Sequence, residues 1–122
     1  MPKILVVDDD VTMTSLMKAL LMMEGHQATT VNDSTTAVEV AATINPDVIT
    51  LDLMMPGLTG FELCEILHQD PRFANIPIMI VSASDDSENK VKATAAGAKD
   101  YLAKPFSVDD LLEKIRVLTS AS

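Results

Sequence analysis

The chain has 122 residues, the size of one ordinary domain, and 48% of them are hydrophobic, which is enough to form a core. Its 18 acidic and 9 basic residues give a net charge of −9, which argues against direct binding to nucleic acid or to an anionic membrane surface. A single cysteine forms no internal disulfide, and the sequence contains no signal peptide and no bilayer-spanning apolar run. We therefore expect a cytoplasmic protein with one domain.

The first half of the chain alternates short apolar segments with helical patterns. The apolar strand Lys3–Val7 is followed by a helical repeat of apolar residues that stops at Gly25. A more polar strand at 26–31 is typical of the edge of a sheet. The next helix is predicted over 34–44, before a buried strand at 47–51.

The second half continues the same alternation. A capping-box pattern at Thr59 and Glu62 begins a third helix. The remaining predicted elements are a strand at 78–82, a helix from 85 to a stop at 97, a strand at 100–103 and a helix at 108–118. Strands and helices thus alternate five times, which predicts an α/β fold: a parallel sheet with helices on both faces.

Polar side chains collect at the predicted carboxyl ends of the strands, where open α/β sheets bind their ligands. They are, in chain order, Asp8, Asp9, Asp10, Asp52, Ser82 and Lys104. Carboxylates that meet in one cleft repel each other unless a hard divalent cation such as Mg²⁺ binds them. Lys104 offers an ammonium for a phosphoryl oxygen, and Ser82 offers a hydrogen bond. Asp52, a lone central acid before a Pro-Gly turn, is the best candidate phosphoryl acceptor.

Four segments resemble, in order and spacing, the receiver domains of bacterial two-component response regulators. They are ILVVDDD (4–10), VITLDLMMPGLTG (48–60), IMIVSAS (78–84) and AKDYLAKPF (98–106). The resemblance covers essentially the whole chain. It implies one receiver domain over residues 1–122, with a flavodoxin-like, doubly wound sheet of five parallel strands in the order 2-1-3-4-5 and five helices.

The resemblance implies a phosphoryl-acceptor and metal site. Asp52 would take a phosphoryl group from a sensor histidine kinase or a phosphotransfer protein. The Mg²⁺ ion would be held by Asp8, Asp9, Asp52 and the backbone carbonyl of Met54. The backbone N–H groups of Met54 and Ala83 would contact the phosphoryl group.

The resemblance also implies a switch. Lys104 would pair with the phosphoryl group, and Pro105 would follow a cis peptide bond. Ser82 would turn toward the phosphoryl group and vacate space that Tyr101 fills. These movements would change the surface formed by the fourth helix, the fifth strand and the fifth helix.

The expected role is therefore a signalling domain rather than an enzyme, although its site would assist its own phosphorylation and dephosphorylation. Its downstream partner would be another protein, with no direct contact to nucleic acid or membrane. DNA-binding members of the family dimerise through the switch surface after phosphorylation, held by acid–base pairs. Here Lys99 and Arg116 would bring like charges together in such a dimer, so we expect mainly a monomer, with a phosphorylation-dependent dimer as the alternative.

Other functions fit the residues less well. The segment DDDVT (8–12) matches the D-x-D-x-T signature of haloacid-dehalogenase-type phosphatases, with Asp8 as nucleophile and Asp10 as general acid. That family places its second acidic pair after its lysine, whereas Asp85 and Asp86 precede Lys104 here, and the segment around residue 52 would have no role. A flavodoxin would need a phosphate-binding loop after the first strand. A receiver-shaped binding module without phosphorylation would not need the complete set of site residues.

Overall fold

In the computed structural model, residues 2–84 and 86–120 are described, and strands alternate with helices along the chain. The strands are β1 (Lys3–Val7), β2 (Gln27–Val31), β3 (Val48–Leu51), β4 (Ile78–Ser82) and β5 (Asp100–Ala103). The helices are α1 (Val11–Met23), α2 (Ala37–Ile44), α3 (Gly60–Gln69), α4 (Ser87–Ala96) and α5 (Val108–Ser120). None of the described helices is long and apolar enough to span a membrane.

All strand pairs are parallel, and the order is β2-β1-β3-β4-β5, which confirms the predicted topology. The polar strand β2 lies at the edge, where part of its surface meets solvent. The inner strands β1 and β3 are buried on both faces and are apolar almost throughout, as is typical of buried parallel strands. This arrangement sets their carboxyl ends in the middle of one edge of the sheet.

Alternate residues of β1 enter the two halves of the core. Leu5 belongs to the cluster that packs α2, α3 and α4 on one face, and Ile4 belongs to the cluster that packs α1 and α5 on the other. Both side chains are fully buried. The helices therefore hold the central strands from both sides, and the strand ends become fixed points for the site.

A few element ends differ from the sequence prediction. The helix predicted from residue 34 begins with a 3₁₀ turn, Ser34–Thr36, before α2 starts, because the Asp33 side chain accepts the Thr35 N–H and tightens the turn. The third strand begins at Val48 rather than at Asp47, whose carboxylate accepts the Lys3 N–H at 2.8 Å. The acidic start predicted for α4 includes Asp85, which lies outside the described residues; Asp86 caps the helix.

The start of α3 follows the sequence prediction closely. Thr59 Oγ1 accepts the Glu62 N–H at 3.2 Å, and the Glu62 side chain accepts the Thr59 N–H at 3.1 Å, so the predicted capping box is present. The box fixes the end of the loop that leaves β3, and this loop carries the residues that follow Asp52.

Candidate functional site

The sheet places Asp8 and Asp52 next to each other. Val7 and Leu51 are register partners in β1 and β3, so the residues that follow them emerge side by side. The Asp52 N–H donates to the Val7 carbonyl at 3.0 Å. The ends of the central strands thus hold the backbone of both acids in neighbouring positions.

The other side of the site comes from β4 and β5. Ser82 is register partner to Ala103, and the Lys104 N–H donates to the Ser82 carbonyl at 2.7 Å. The peptide bond from Lys104 to Pro105 is cis, which confirms the expectation from the resemblance. The Lys104 side chain extends back across the strand ends toward the acids.

Lys104 makes ion pairs with both buried acids. Its Nζ lies 2.6 Å from Asp8 Oδ2 and 3.4 Å from Asp52 Oδ2, and its side chain is only 14% exposed. Burial raises the pKa of the Asp52 carboxyl, and the charge of Asp8 adds to this rise, while Lys104 opposes it. Burial alone would lower the pKa of Lys104, but its bond to Asp8 and the charges of both acids raise it. The ammonium therefore stays charged.

A third acid completes a group suited to a metal ion. Carboxylate oxygens of Asp8, Asp9 and Asp52 all lie within 4.8 Å of one another, the one such group among the described residues. Three carboxylates and one ammonium leave a net charge of −2, which one divalent cation balances. The donors are all hard oxygens, the ligands that Mg²⁺ prefers, and a small protein shell leaves room for water and phosphate oxygens. The residues therefore fit the magnesium ion that the sequence suggested.

The loop after β3 adds a backbone donor. The Met54 N–H donates to Asp52 Oδ1 at 3.3 Å, while the Met54 side chain is 73% exposed. Gly57 adopts a φ of +82° and completes the predicted turn. The loop then returns so closely to β3 that the Gly60 N–H donates to the Leu53 carbonyl at 2.9 Å. One face of Asp52 is thus covered by backbone.

The two predicted switch residues meet at Ser84 rather than at Asp52. The hydroxyl of Ser82, which is fully buried, accepts the Ser84 N–H at 3.4 Å. The Tyr101 hydroxyl donates to the Ser84 carbonyl at 2.6 Å, and Lys90 Nζ lies 5.6 Å from the centre of the half-buried Tyr101 ring. Ala83 lies between the two serines and is exposed.

Sequence reasoning missed two residues that support the site. Asn32, just after β2, donates from Nδ2 to the Asp8 carbonyl at 2.9 Å and to Thr14 Oγ1 at 3.0 Å, and so braces the segment that carries the acids. No local pattern marked it. Gly60 ends the second of the four segments but has no predicted role. A glycine at the first position of a helix nevertheless indicates a need for space, since most residues form helices better.

The comparisons with known proteins agree with this geometry. Residues 4–116 match the family of the response regulator receiver domain. The chain is 37% identical to the DNA-binding dual master transcriptional regulator RpaA of Synechocystis over 97% of its length, and 38% identical to the response regulator PleD of Caulobacter vibrioides over 96%. It spans only 49% and 26%, respectively, of those longer proteins.

Solved structures agree at the level of the whole fold. The Francisella response regulator 1452 receiver domain superposes with a TM-score of 0.91 at 38% identity, covering 99% of this chain and 98% of that one. The Vibrio cholerae chemotaxis protein CheY4 superposes with a TM-score of 0.92 at 30% identity, covering 97% and 98%. Nothing in these comparisons supports a haloacid-dehalogenase-type phosphatase. The chain thus belongs to the response regulator receiver domain family, the phospho-accepting switches of two-component signalling.

Proposed function

We propose that Asp52 is the residue that accepts the phosphoryl group, and that the donor is the phosphohistidine of a sensor histidine kinase or a phosphotransfer protein. The observation that carries the proposal is the contact of Lys104 Nζ with both Asp8 and Asp52 inside a group of three acids. Asp52 has the ammonium and the Met54 N–H on its carboxylate oxygens, and Asp8 likewise has the ammonium and the Asp10 N–H at 2.9 Å. The choice of Asp52 within the group is supported by its place in the segment 48–60, which resembles the acceptor segment of the family.

In the proposed step, a carboxylate oxygen of Asp52 attacks the phosphorus atom. The new O–P bond forms as the N–P bond of the phosphohistidine breaks, and the electron pair leaves with the imidazole nitrogen. Bound Mg²⁺ would supply positive charge to the phosphoryl oxygens, held by Asp8, Asp9, Asp52 and the Met54 carbonyl. Lys104 and the N–H groups of Met54 and Ala83 would stabilise the charge that develops on those oxygens.

The proposed role is a signalling domain of residues 1–122, working in the cytoplasm, rather than an enzyme that turns over a separate substrate. The site residues would also assist hydrolysis of their own aspartyl phosphate, which resets the switch. The output would be a changed surface on α4, β5 and α5, read by a downstream protein. With a net charge of −9, the domain itself is unsuited to contact nucleic acid.

We also propose that the domain is mainly a monomer. Arg116, one of the like charges expected to clash in a symmetric dimer, pairs with Glu113 at 2.6 Å in the same chain. Lys114 likewise pairs with Asp100 of its own chain at 3.0 Å, and so an intermolecular pair between these residues would replace a bond that already exists. Exchanging one exposed pair for another gains little free energy.

The test of the acceptor is phosphorylation with a small-molecule donor. Acetyl phosphate with Mg²⁺ should add one phosphoryl group to the protein, seen by intact-mass spectrometry, and mapping should place it on the peptide that contains Asp52. Omission of Mg²⁺ should reduce the incorporation strongly, since the acids then repel the incoming phosphoryl oxygens. A label on the peptide that contains Asp8 and Asp9, with none on Asp52, would contradict the proposal.

A further inference from the structure

Ser84 joins three elements around the site through separate polar groups. Its N–H donates to Ser82 Oγ at 3.4 Å, and its carbonyl accepts the Tyr101 hydroxyl at 2.6 Å. Its own hydroxyl oxygen accepts Nδ2 of Asn89 at 2.8 Å and, more weakly, the N–H of the helix cap Asp86 at 3.3 Å. Ser84 is therefore bonded to the strand that ends at the site, to the half-buried tyrosine of β5 and to the first turn of α4.

The helix on the far side of this link is loosely held. Ala93 and Ala96 are the buried residues described in α4, and Val91 on its outer side is 69% exposed. Two small side chains bury little apolar area, so a shift of α4 breaks few contacts in the core. The position of the first turn of α4 then depends strongly on polar contacts at its start, where Asn89 is bonded.

We infer that the hydrogen bond from the Asn89 amide to the Ser84 hydroxyl is the link through which occupancy of Asp52 moves α4, which makes Asn89 a positioning residue of the switch. The inference rests on the proposed function, in which Ser82 turns toward the phosphoryl group. That turn removes the acceptor of the Ser84 N–H, so the backbone at Ser84 shifts. Because Asn89 is bonded to Ser84 Oγ, the first turn of α4 shifts with it.

The experiment uses amide NMR spectra of the whole chain with Mg²⁺ and beryllium fluoride, which mimics a phosphoryl group on Asp52. In the wild type, amide signals should shift both at the site, near Met54 and Ala83, and along α4 at 91–96. In Asn89→Ala, the site signals should shift at the same beryllium fluoride concentrations. The shifts along α4 should fall by about twofold or more, the effect of losing a coupling of roughly 0.5 kcal/mol.

Further variants separate a coupling role from a structural one. Ser84→Ala removes this bond together with the longer one from the Asp86 N–H, so it should reduce the α4 response at least as much as Asn89→Ala does. The double variant should respond like Ser84→Ala alone. Ser84→Thr keeps the hydroxyl and should keep the response. Glu88→Gln, next to Asn89 with a 75% exposed side chain, is the matched control and should respond like the wild type.

Each outcome tests either the coupling through Asn89 or the acceptor role of Asp52. An α4 response that is unchanged in Asn89→Ala, with normal site shifts, overturns this inference and leaves Asp52 as the acceptor. Loss of the site shifts in Asn89→Ala also overturns it, because the residue then supports the site rather than the coupling. If the site signals of the wild type do not shift with beryllium fluoride, both the proposed function and the inference are overturned.

Discussion

Asp52→Asn is expected to reduce phosphoryl incorporation from acetyl phosphate to below about 1% of the wild-type level, because the amide is a poor nucleophile in place of the carboxylate. The substitution keeps the size of the side chain and an oxygen for the Met54 N–H, so the loss reports chemistry rather than misfolding. Intact-mass spectrometry over a time course measures the effect. Incorporation that persists in this variant would show that another acid of the group is the acceptor.

Asp10→Asn is the matched control for this experiment. Asp10 is exposed, and its Oδ1 accepts the Met13 N–H at 3.2 Å as the cap of α1. Asparagine caps helices about as well as aspartate, so phosphorylation and folding should both be close to wild type. A receiver domain has no use for a general acid at this position, whereas a phosphatase of the D-x-D-x-T type would lose activity.

The same Asp52→Asn substitution should also stabilise the metal-free protein at pH 7. Burial and the charge of Asp8 hold the pKa of Asp52 above its ordinary value of 3.8. A carboxyl with a raised pKa contributes stability that is complete below its unfolded-state pKa and is lost as the pH rises through its folded-state pKa. At neutral pH the wild type has therefore lost this contribution, while the amide cannot ionise. Urea unfolding in EDTA should show the two proteins converging toward pH 4; an equal difference at both pH values would contradict this explanation.

The sequence predicts which residues gather at the edge of the sheet, because that depends on where the parallel strands end. Once Lys3–Val7 and 47–51 are identified as parallel and buried, the acids after them must emerge at the same edge of the sheet. That the two strands are neighbours is implied by the resemblance to receiver domains, and the pairing of β1 with β3 confirms it. The lysine at 104 follows by the same argument from β5. The strand propensity of these segments, their hydrophobic pattern and the alternation of strands with helices all predict the same parallel sheet.

The hydrogen bonds of Ser84 could not be predicted in the same way. They depend on how the segment after β4 turns toward α4. The conformation of such a short loop is set by tertiary contacts, which the hydrophobic periodicity of the sequence does not reveal. The resemblance implies that Ser82 and Tyr101 lie near each other, but no pattern in the sequence predicts that Ser84 bonds to both of them. The bond of Asn89 could not be predicted either, since a polar residue in the first turn of a polar helix ordinarily faces solvent.

Gly60→Ala is expected to destabilise the protein by about 3 kcal/mol, at the upper end of the cost of overpacking. A Cβ at Gly60 would come within 2.6 Å of Leu53 Cα and 2.8 Å of the Asp52 carbonyl carbon. These are backbone atoms of the chain that leaves β3, and so they cannot swing aside as a side chain does. Alanine favours a helix over glycine by only about 1 kcal/mol, so the clash should outweigh the gain in propensity.

Gly25→Ala provides the control for backbone strain without a clash. Gly25 has a φ of +86°, but a Cβ there would meet nothing within 4 Å, so its replacement should cost only about 1 kcal/mol. Urea unfolding monitored by circular dichroism compares the two variants with the wild type. If Gly60→Ala proved no more costly than Gly25→Ala, α3 would be free to move away from β3. The loop after Asp52 would then not be fixed by the close approach at Gly60, and the Met54 N–H would owe its position at the Asp52 carboxylate to the turn at Gly57 instead.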